Sequence, residues 1–96
     1  MPVLYVTEFS AMATDSWPIP KEPPNAEQTV AITGSPVSSS VFSTGTRLLR
    51  VHTDSICSVE IGASPSAAIT NRRLAANQTE YFGVEPGQAI SVISNV

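Results

Sequence analysis

The chain has 96 residues, a net charge of -3 at pH 7, and only 14% charged residues against 42% hydrophobic ones. A chain of this length forms one domain at most. Its five basic residues are too few for the clustered positive charge that displaces counterions from phosphates, so composition argues against a nucleic-acid partner.

No signal for a membrane, a metal or a disulfide is present in the sequence. The first ten residues lack a basic region and include Glu8, which is not typical of a secretory signal. The longest uncharged run, 28–46, is rich in Ser, Thr, Gly and Pro, unlike a bilayer span. Cys57 is the single cysteine, so we expect a small buried apolar residue there. We therefore expect a soluble chain made in a reducing cytoplasm, with no membrane partner and no cofactor.

Short runs rich in Val, Ile, Thr and Phe, separated by Gly, Pro, Asn and Ser, predict strands along most of the chain. The predicted strands are 3–9, 28–33, 37–43, 47–53, 56–61, 68–74, 80–84 and 89–94. Strands of this length and spacing predict an all-β fold, a small antiparallel β-sandwich or jelly roll of about eight short strands, or a small barrel.

Between the first two predicted strands, the stretch "SWPIPKEPPN" at 16–25 contains four of the eight prolines and the only tryptophan. Proline lacks a backbone donor and favours extended geometry, so this segment cannot lie inside a sheet. We predict two parts: 1–26 as an N-terminal strand with an extended Pro-rich arm, and 27–96 as the sandwich domain. Deletion of 1–26 is accordingly expected to leave a folded domain.

A proline-stiffened arm loses less conformational entropy on docking than a flexible one. We therefore predict that Trp17, Pro18 and Pro20 contact a partner. The alternative is that the arm packs on its own domain, where Trp17 would close one end of the sandwich.

The stretch "RLLRVHTDSICSVEI" predicts a hairpin. Leu49, Val51, Cys57 and Val59 all occupy odd positions, and a three-residue loop at 53–55 would bring them to one face. In that register Val51 lies opposite Cys57, and Leu49 lies opposite Val59.

Three further residues are candidates for partner contact. Leu48 breaks the alternation, so it is either covered by another segment or available to a neighbouring subunit. Arg72 and Arg73 are adjacent in a predicted strand, where neighbouring side chains point to opposite faces. We expect one of the two arginine side chains to face a sheet edge, a partner or a bulge.

Two connections have recognisable turn chemistry. In "EPG", Pro86 and Gly87 predict a type II turn, which suits a corner between sheets at least as well as a hairpin. The small residues of "GASPSAA" predict a surface connection across the end of the sandwich.

The nearest approach to a hydrolytic set is His52 and Asp54 with Ser55 and Ser58. Hydroxyl residues are so common here that a serine near the single histidine is expected by chance. The acidic residues lack the spacing of a calcium loop, and aromatic residues are scarce. We expect no enzyme and no catalytic, cofactor-binding or metal-binding residues.

The order of "TRLLRV", "CSVEIG", "SPSAA", "EYFGVEPG" and "ISVI" between residues 42 and 93 resembles small all-β virion structural proteins of tailed bacteriophages. That resemblance covers about half of the chain, carries no active-site residues, and implies capsid decoration, head-to-tail joining, or a place in a tail or fibre.

The leading hypothesis is a decoration, or cement, protein that self-associates into a homo-oligomer and stabilises the shell of major capsid protein. Its location would be the virion, after synthesis in the cytoplasm of the bacterial host. The alternative is a tail, head-tail junction or fibre component that binds another virion protein or a host-surface glycan. A small esterase or nuclease is the third hypothesis.

Overall fold

The computed structural model describes residues 2–10 and 23–96, and these form eight strands and no helix. Sheet A has the order β2-β1-β4-β7, and sheet B has the order β3-β8-β5-β6. All pairings are antiparallel, which confirms the predicted all-β sandwich. The strands are β1 (Val3–Phe9), β2 (Ala26–Ala31), β3 (Val37–Ser38), β4 (Leu48–Thr53), β5 (Cys57–Gly62), β6 (Arg72–Leu74), β7 (Thr79–Gly83) and β8 (Ala89–Ser94).

Six of the strands follow a jelly-roll winding. β3 pairs with β8, β4 with β7, and β5 with β6, and these pairs alternate between sheet B, sheet A and sheet B. Such alternation arises when a ribbon of antiparallel pairs wraps across two facing sheets. The remaining pair, β1 and β2, extends sheet A beside β4.

The core lies between the sheets and is built from alternate residues of both. Since successive side chains of a strand point to opposite faces, one side chain in two reaches the interior. The buried cluster includes Leu4, Val6, Val30, Leu49, Val51, Cys57, Val59, Leu74, Ile90 and Val92, together with Ile32, Phe42 and Val84 from connecting segments.

Strand β1 is an interior strand of sheet A. Leu4 pairs with Val30 of β2 on one side, and Val6 pairs with Val51 of β4 on the other. The first strand therefore belongs to the same sandwich as residues 27–96. Deletion of 1–26 would remove an interior strand, which argues against a folded truncated domain; that outcome stays a prediction.

The proline-rich stretch connects two neighbouring strands of one sheet, because β1 and β2 flank it and pair with each other. Trp17, Pro18 and Pro20 lie outside the described residues. Their contact with a partner stays a prediction. The connection that contains them begins and ends at neighbouring strands of sheet A.

The predicted hairpin between β4 and β5 is wrong, because β4 lies in sheet A and β5 lies in sheet B. Thr53 makes the corner: its hydroxyl donates to the Ser55 carbonyl at 2.5 Å and accepts from the Ser55 amide at 3.2 Å. Leu49 and Cys57 do both face the core, but from opposite sheets. Alternation identifies the buried face of a strand and does not identify its neighbour.

The turn at Pro86 and Gly87 joins β7 in sheet A to β8 in sheet B, which confirms the predicted corner. Gly87 has a φ of 86°, in the left-handed region that glycine tolerates best. The side chain of Gln88 accepts the Glu85 amide at 2.9 Å and closes the turn.

Candidate functional site

The two outer faces of the sandwich differ in how they are covered. The sequence predicted that segment 63–71 crosses the end of the sandwich, but it joins β5 and β6, which are neighbours in sheet B, and folds back over the outer face of that sheet. The Ala67 amide donates to Ser91 Oγ at 2.9 Å, and the Ser66 amide donates to Glu60 Oε1 at 2.9 Å. Ser58 and Ser91 on this face are 0% exposed. The chain thus supplies its own cover for the outer face of sheet B.

Sheet A presents a second outer face, which we call the polar face. Its members are the residues that alternate with the buried ones and share registers across four strands. They are Tyr5 and Thr7 of β1, Glu27 and Thr29 of β2, Arg50 and His52 of β4, and Thr79 and Tyr81 of β7. One cross-strand row joins Glu27, Thr7, Arg50 and Tyr81, and the next joins Thr29, Tyr5, His52 and Thr79.

Tyr5 and His52 form the aromatic centre of the polar face. They pair in the β1–β4 register, with ring centroids 6.3 Å apart and planes tilted by 47°. His52 Nδ1 lies 2.8 Å from Thr79 Oγ1, and this hydrogen bond fixes the imidazole ring. Tyr5 is 45% exposed. The exposed ring of Tyr5, which carries a hydroxyl, can contact a partner through both apolar and hydrogen-bonding surface.

A groove of about 400 Å³ runs along the outer side of β1 and β2. Its lining includes Tyr5, Thr7, Glu27 and Thr29. These residues offer one ring, three hydroxyls and one carboxylate to a ligand or partner side chain in the groove. The arrangement suits a side chain of a partner or a hydroxyl-rich ligand, since both can accept and donate hydrogen bonds.

Leu48, predicted as a partner contact, is only 8% exposed. It pairs with Phe9, which is 2% exposed, and neither belongs to the cluster between the sheets. Because Leu49 faces the interior, Leu48 points to the outer side of sheet A. Leu48 was predicted to be either covered by another segment or available to a neighbouring subunit. The structure shows the first: the side chain is covered by residues of its own chain.

Arg72 and Arg73 lie on β6, an edge strand of sheet B, as expected of an edge position. The Arg72 guanidinium carbon is 4.8 Å from the ring centroid of Phe82, so this side chain spans from sheet B to sheet A. Arg73 donates from Nε and Nη2 to the Asn95 carbonyl, both at 3.2 Å. Both side chains are engaged within the chain and remain exposed, and their contact with a partner stays a prediction.

The residues considered for hydrolysis are not brought together. His52 lies on the outer face of sheet A, whereas Ser58 lies on the outer face of sheet B and accepts from Asn95 Nδ2 at 2.8 Å. Asp54 Oδ2 accepts the Val3 amide at 3.4 Å. The sandwich separates His52 from Ser58 by its full thickness.

Cys57 is fully buried, as predicted, with its Sγ 3.5 Å from Thr53 Oγ1. Burial raises the pKa of the Cys57 thiol, and the hydrogen bond with Thr53 opposes this rise. A protonated, enclosed thiol is a poor nucleophile.

Sequence reasoning overlooked Tyr5 as the centre of an exposed surface. The signal was available in the alternation of β1, where Leu4 and Val6 face the core while Tyr5 and Thr7 face outward. The pairing of Tyr5 with His52 depends on a register between strands far apart in the sequence, which alternation does not supply.

Within 2–10 and 23–96, no group of three or more His, Cys, Asp or Glu side chains is placed to hold a metal ion. The same part of the chain contains no helix long and apolar enough to span a membrane. No family model, curated protein or solved structure matches the chain. The polar face is therefore interpreted from its own geometry.

Proposed function

We propose that this chain is a structural protein of a tailed-bacteriophage virion, a decoration protein that self-associates and stabilises the shell of major capsid protein. In this proposal the chain has no catalytic role and is made in the cytoplasm of the bacterial host. One observation carries the choice of contact surface: the chain covers the outer face of sheet B with its own segment 63–71, and the polar face of sheet A still presents Tyr5 and its neighbours.

The size of the domain supports attachment through a single face. A standard interface takes about 800 Å² from each partner, which is about a sixth of the 5143 Å² that this chain exposes. One such patch gives modest affinity, and many linked copies on a shell raise the effective concentration at every site. Tyr and Arg are enriched at interfaces, and Tyr5, Arg50 and Tyr81 supply them here.

The groove favours a second candidate function, a tail, head-tail junction or fibre component that binds a host-surface glycan. Tyr5 provides a ring for stacking against a sugar, and Thr7, Thr29 and Glu27 provide hydrogen-bonding groups beside it. This candidate uses the same polar face with a different ligand.

Imaging of the native assembly distinguishes the two candidates. The protein would be purified from its natural source without dissociating particles, and the particles would be imaged by electron cryomicroscopy. A decoration protein occupies a fixed lattice position on the shell, and a tail or fibre protein occupies the tail. A protein associated with no particle would contradict both candidates.

The contact surface is tested by matched substitutions on the two sides of the sandwich. Tyr5→Ala removes the exposed ring of the polar face, and Ile69→Ala removes a 63% exposed side chain of the segment that covers sheet B. We expect Tyr5→Ala to lower occupancy on particles about tenfold or more, as for a central interface residue, and Ile69→Ala to leave it unchanged. The reverse pattern would place the contact on sheet B. On a glycan array, loss of binding in Tyr5→Ala or Tyr81→Ala would support the second candidate.

A further inference from the structure

The edge strands of the sandwich are unequally protected against pairing with another strand. β3 has two residues, and β6 has three, of which Arg72 and Arg73 are charged and exposed. β7 has five residues and carries Glu80, and Arg72 of β6, in the facing sheet, stacks over its Phe82. Short length and charged side chains are the usual protections of sheet edges.

Strand β2, by contrast, has six residues, "AEQTVA", with no proline, no basic residue and one carboxylate. Glu27 and Thr29 are exposed. Among the described residues, no strand pairs with the outer side of β2. It is the longest edge strand in that part of the chain, and Glu27 is the one charged residue on it.

The hydrogen-bond pattern identifies the backbone groups that β2 offers. The Ile32 amide donates to the Pro2 carbonyl at 3.0 Å, which continues the ladder between β2 and β1. Antiparallel ladders alternate, so the even-numbered residues of β2 bond to β1. The N–H and C=O groups of Glu27, Thr29 and Ala31 therefore point away from the sheet, and no described residue bonds to them.

We infer that β2 pairs antiparallel with β2 of a second copy of this chain, around a two-fold axis at Thr29. This inference deepens the self-association in the proposed function, although it concerns the purified chain alone. Three residues that point outward then meet their counterparts: Thr29 lies opposite Thr29, and Glu27 lies opposite Ala31 of the second copy. About six backbone hydrogen bonds form between the copies.

The register follows from side-chain faces and charge. Residues that lie opposite each other must point to the same face, so Glu27, Thr29 and Ala31 can only meet one another. An axis at Glu27 would place two carboxylates opposite each other, which is destabilising. An axis at Thr29 avoids that repulsion and uses all three outward-pointing residues. The two copies of sheet A then form one continuous sheet of eight strands, with the two grooves side by side.

Amide hydrogen exchange measured by NMR tests the inference with an internal control. On β7, the ladder with β4 leaves the amides of Thr79, Tyr81 and Gly83 pointing outward in the same way, since the Val84 amide bonds to the Arg47 carbonyl. We expect the amides of Glu27, Thr29 and Ala31 to become protected as the protein concentration rises, while the β7 amides stay unprotected. Equal exchange at both edges, or protection confined to β7, would overturn the inference.

Two substitutions at Thr29 test the same contact by sedimentation equilibrium. Thr29→Pro removes a donor that points away from β1, and Tyr81→Pro is the matched control on β7. We expect the dimer dissociation constant to rise about tenfold or more in Thr29→Pro and to stay unchanged in Tyr81→Pro. Thr29→Lys places two like charges opposite each other and should weaken the dimer without relying on proline.

Circular dichroism would verify that each variant is folded before its association is compared. A wild-type chain that stays monomeric at about millimolar concentration, or a folded Thr29→Lys that dimerises as well as wild type, would refute the dimer. Neither measurement involves a virion. A dimer found without any particle association would therefore count against the proposed function alone, and a monomeric chain on a particle would count against the dimer alone.

Discussion

Glu8 is a buried carboxylate whose removal should destabilise the sandwich more than any exposed carboxylate. It lies near the end of β1 on the interior side and is 1% exposed. Its Oε1 accepts the Ser43 amide at 2.7 Å and the Thr46 hydroxyl at 2.8 Å. Thr46 is 0% exposed, so its hydroxyl has no access to water as a substitute acceptor. Glu8 thus fastens the segment before β4 to the interior strand β1.

The expected loss in Glu8→Ala follows from these two bonds. A hydrogen bond to a charged group contributes about 1.5–3 kcal/mol. Relief from burying a carboxylate offsets part of the loss. We expect the free energy of unfolding to fall by about 2–4 kcal/mol, which corresponds to a decrease of about 10–25 °C in Tm for a domain of this size. Glu8→Gln keeps an acceptor oxygen and should lose about half as much.

Urea unfolding followed by circular dichroism measures these changes. Glu85→Ala is the control, because that carboxylate pairs with Arg47 at 3.3 Å while both side chains are more than half exposed. An exposed pair of this kind contributes about 0–1 kcal/mol. A Glu8→Ala variant within about 1 kcal/mol of wild type, or a Glu85→Ala variant as unstable as Glu8→Ala, would refute the reasoning.

Three further substitutions follow from the structure. Ser91→Ala leaves the Ala67 amide without its acceptor, so the free energy of unfolding measured in urea should fall by about 1–2 kcal/mol. The Ala67 amide should also exchange faster, and unchanged exchange would contradict the cover that segment 63–71 forms over sheet B. The raised pKa of Cys57 predicts stability that is fully present at neutral pH and below, where the unfolded thiol, with a pKa of about 8.5, is still protonated. This stability falls as pH rises through about 8.5, because the unfolded thiol ionises before the buried one. Unfolding curves from pH 7 to 10.5 should show this decline in wild type and not in Cys57→Ala. Gly87→Ala should cost about 1 kcal/mol because its φ is 86°, whereas Gly34→Ala, with no positive φ, should cost less in the same assay.

Local features of the fold could be predicted because they depend on short stretches of sequence. β1 and β8 begin and end where their alternation of apolar residues predicts. Gly87 marks a corner because its backbone conformation is a local property. Two predicted strands were too long: β3 is limited to Val37–Ser38 and β6 to Arg72–Leu74. After β3, the Ile90 amide bonds to the Ser39 hydroxyl and not to the Ser39 carbonyl, and before β6 the Asn71 amide bonds to the Ala68 carbonyl within a turn.

Sheet membership and the candidate site could not be predicted, because both depend on contacts between distant segments. Leu49 and Cys57 would be buried equally well as hairpin partners or as residues of facing sheets. Tyr5 and His52 meet through the register of β1 with β4. The cover over sheet B depends on hydroxyls such as Ser91, and a serine in a strand gives no indication of whether a loop will bond to it.

The placement of the few charges indicates how this molecule can associate. Arg72 and Arg73 lie on the β6 side of the sandwich, and Arg47 is paired with Glu85. The polar face and the β2 edge together carry Glu27 and Arg50 as their permanent charges. Association through these surfaces therefore depends little on attraction between charges, which salt would screen. Its strength must come from backbone hydrogen bonds, hydroxyl groups and the Tyr5 ring, and these favour repeated contacts between many copies over one tight contact.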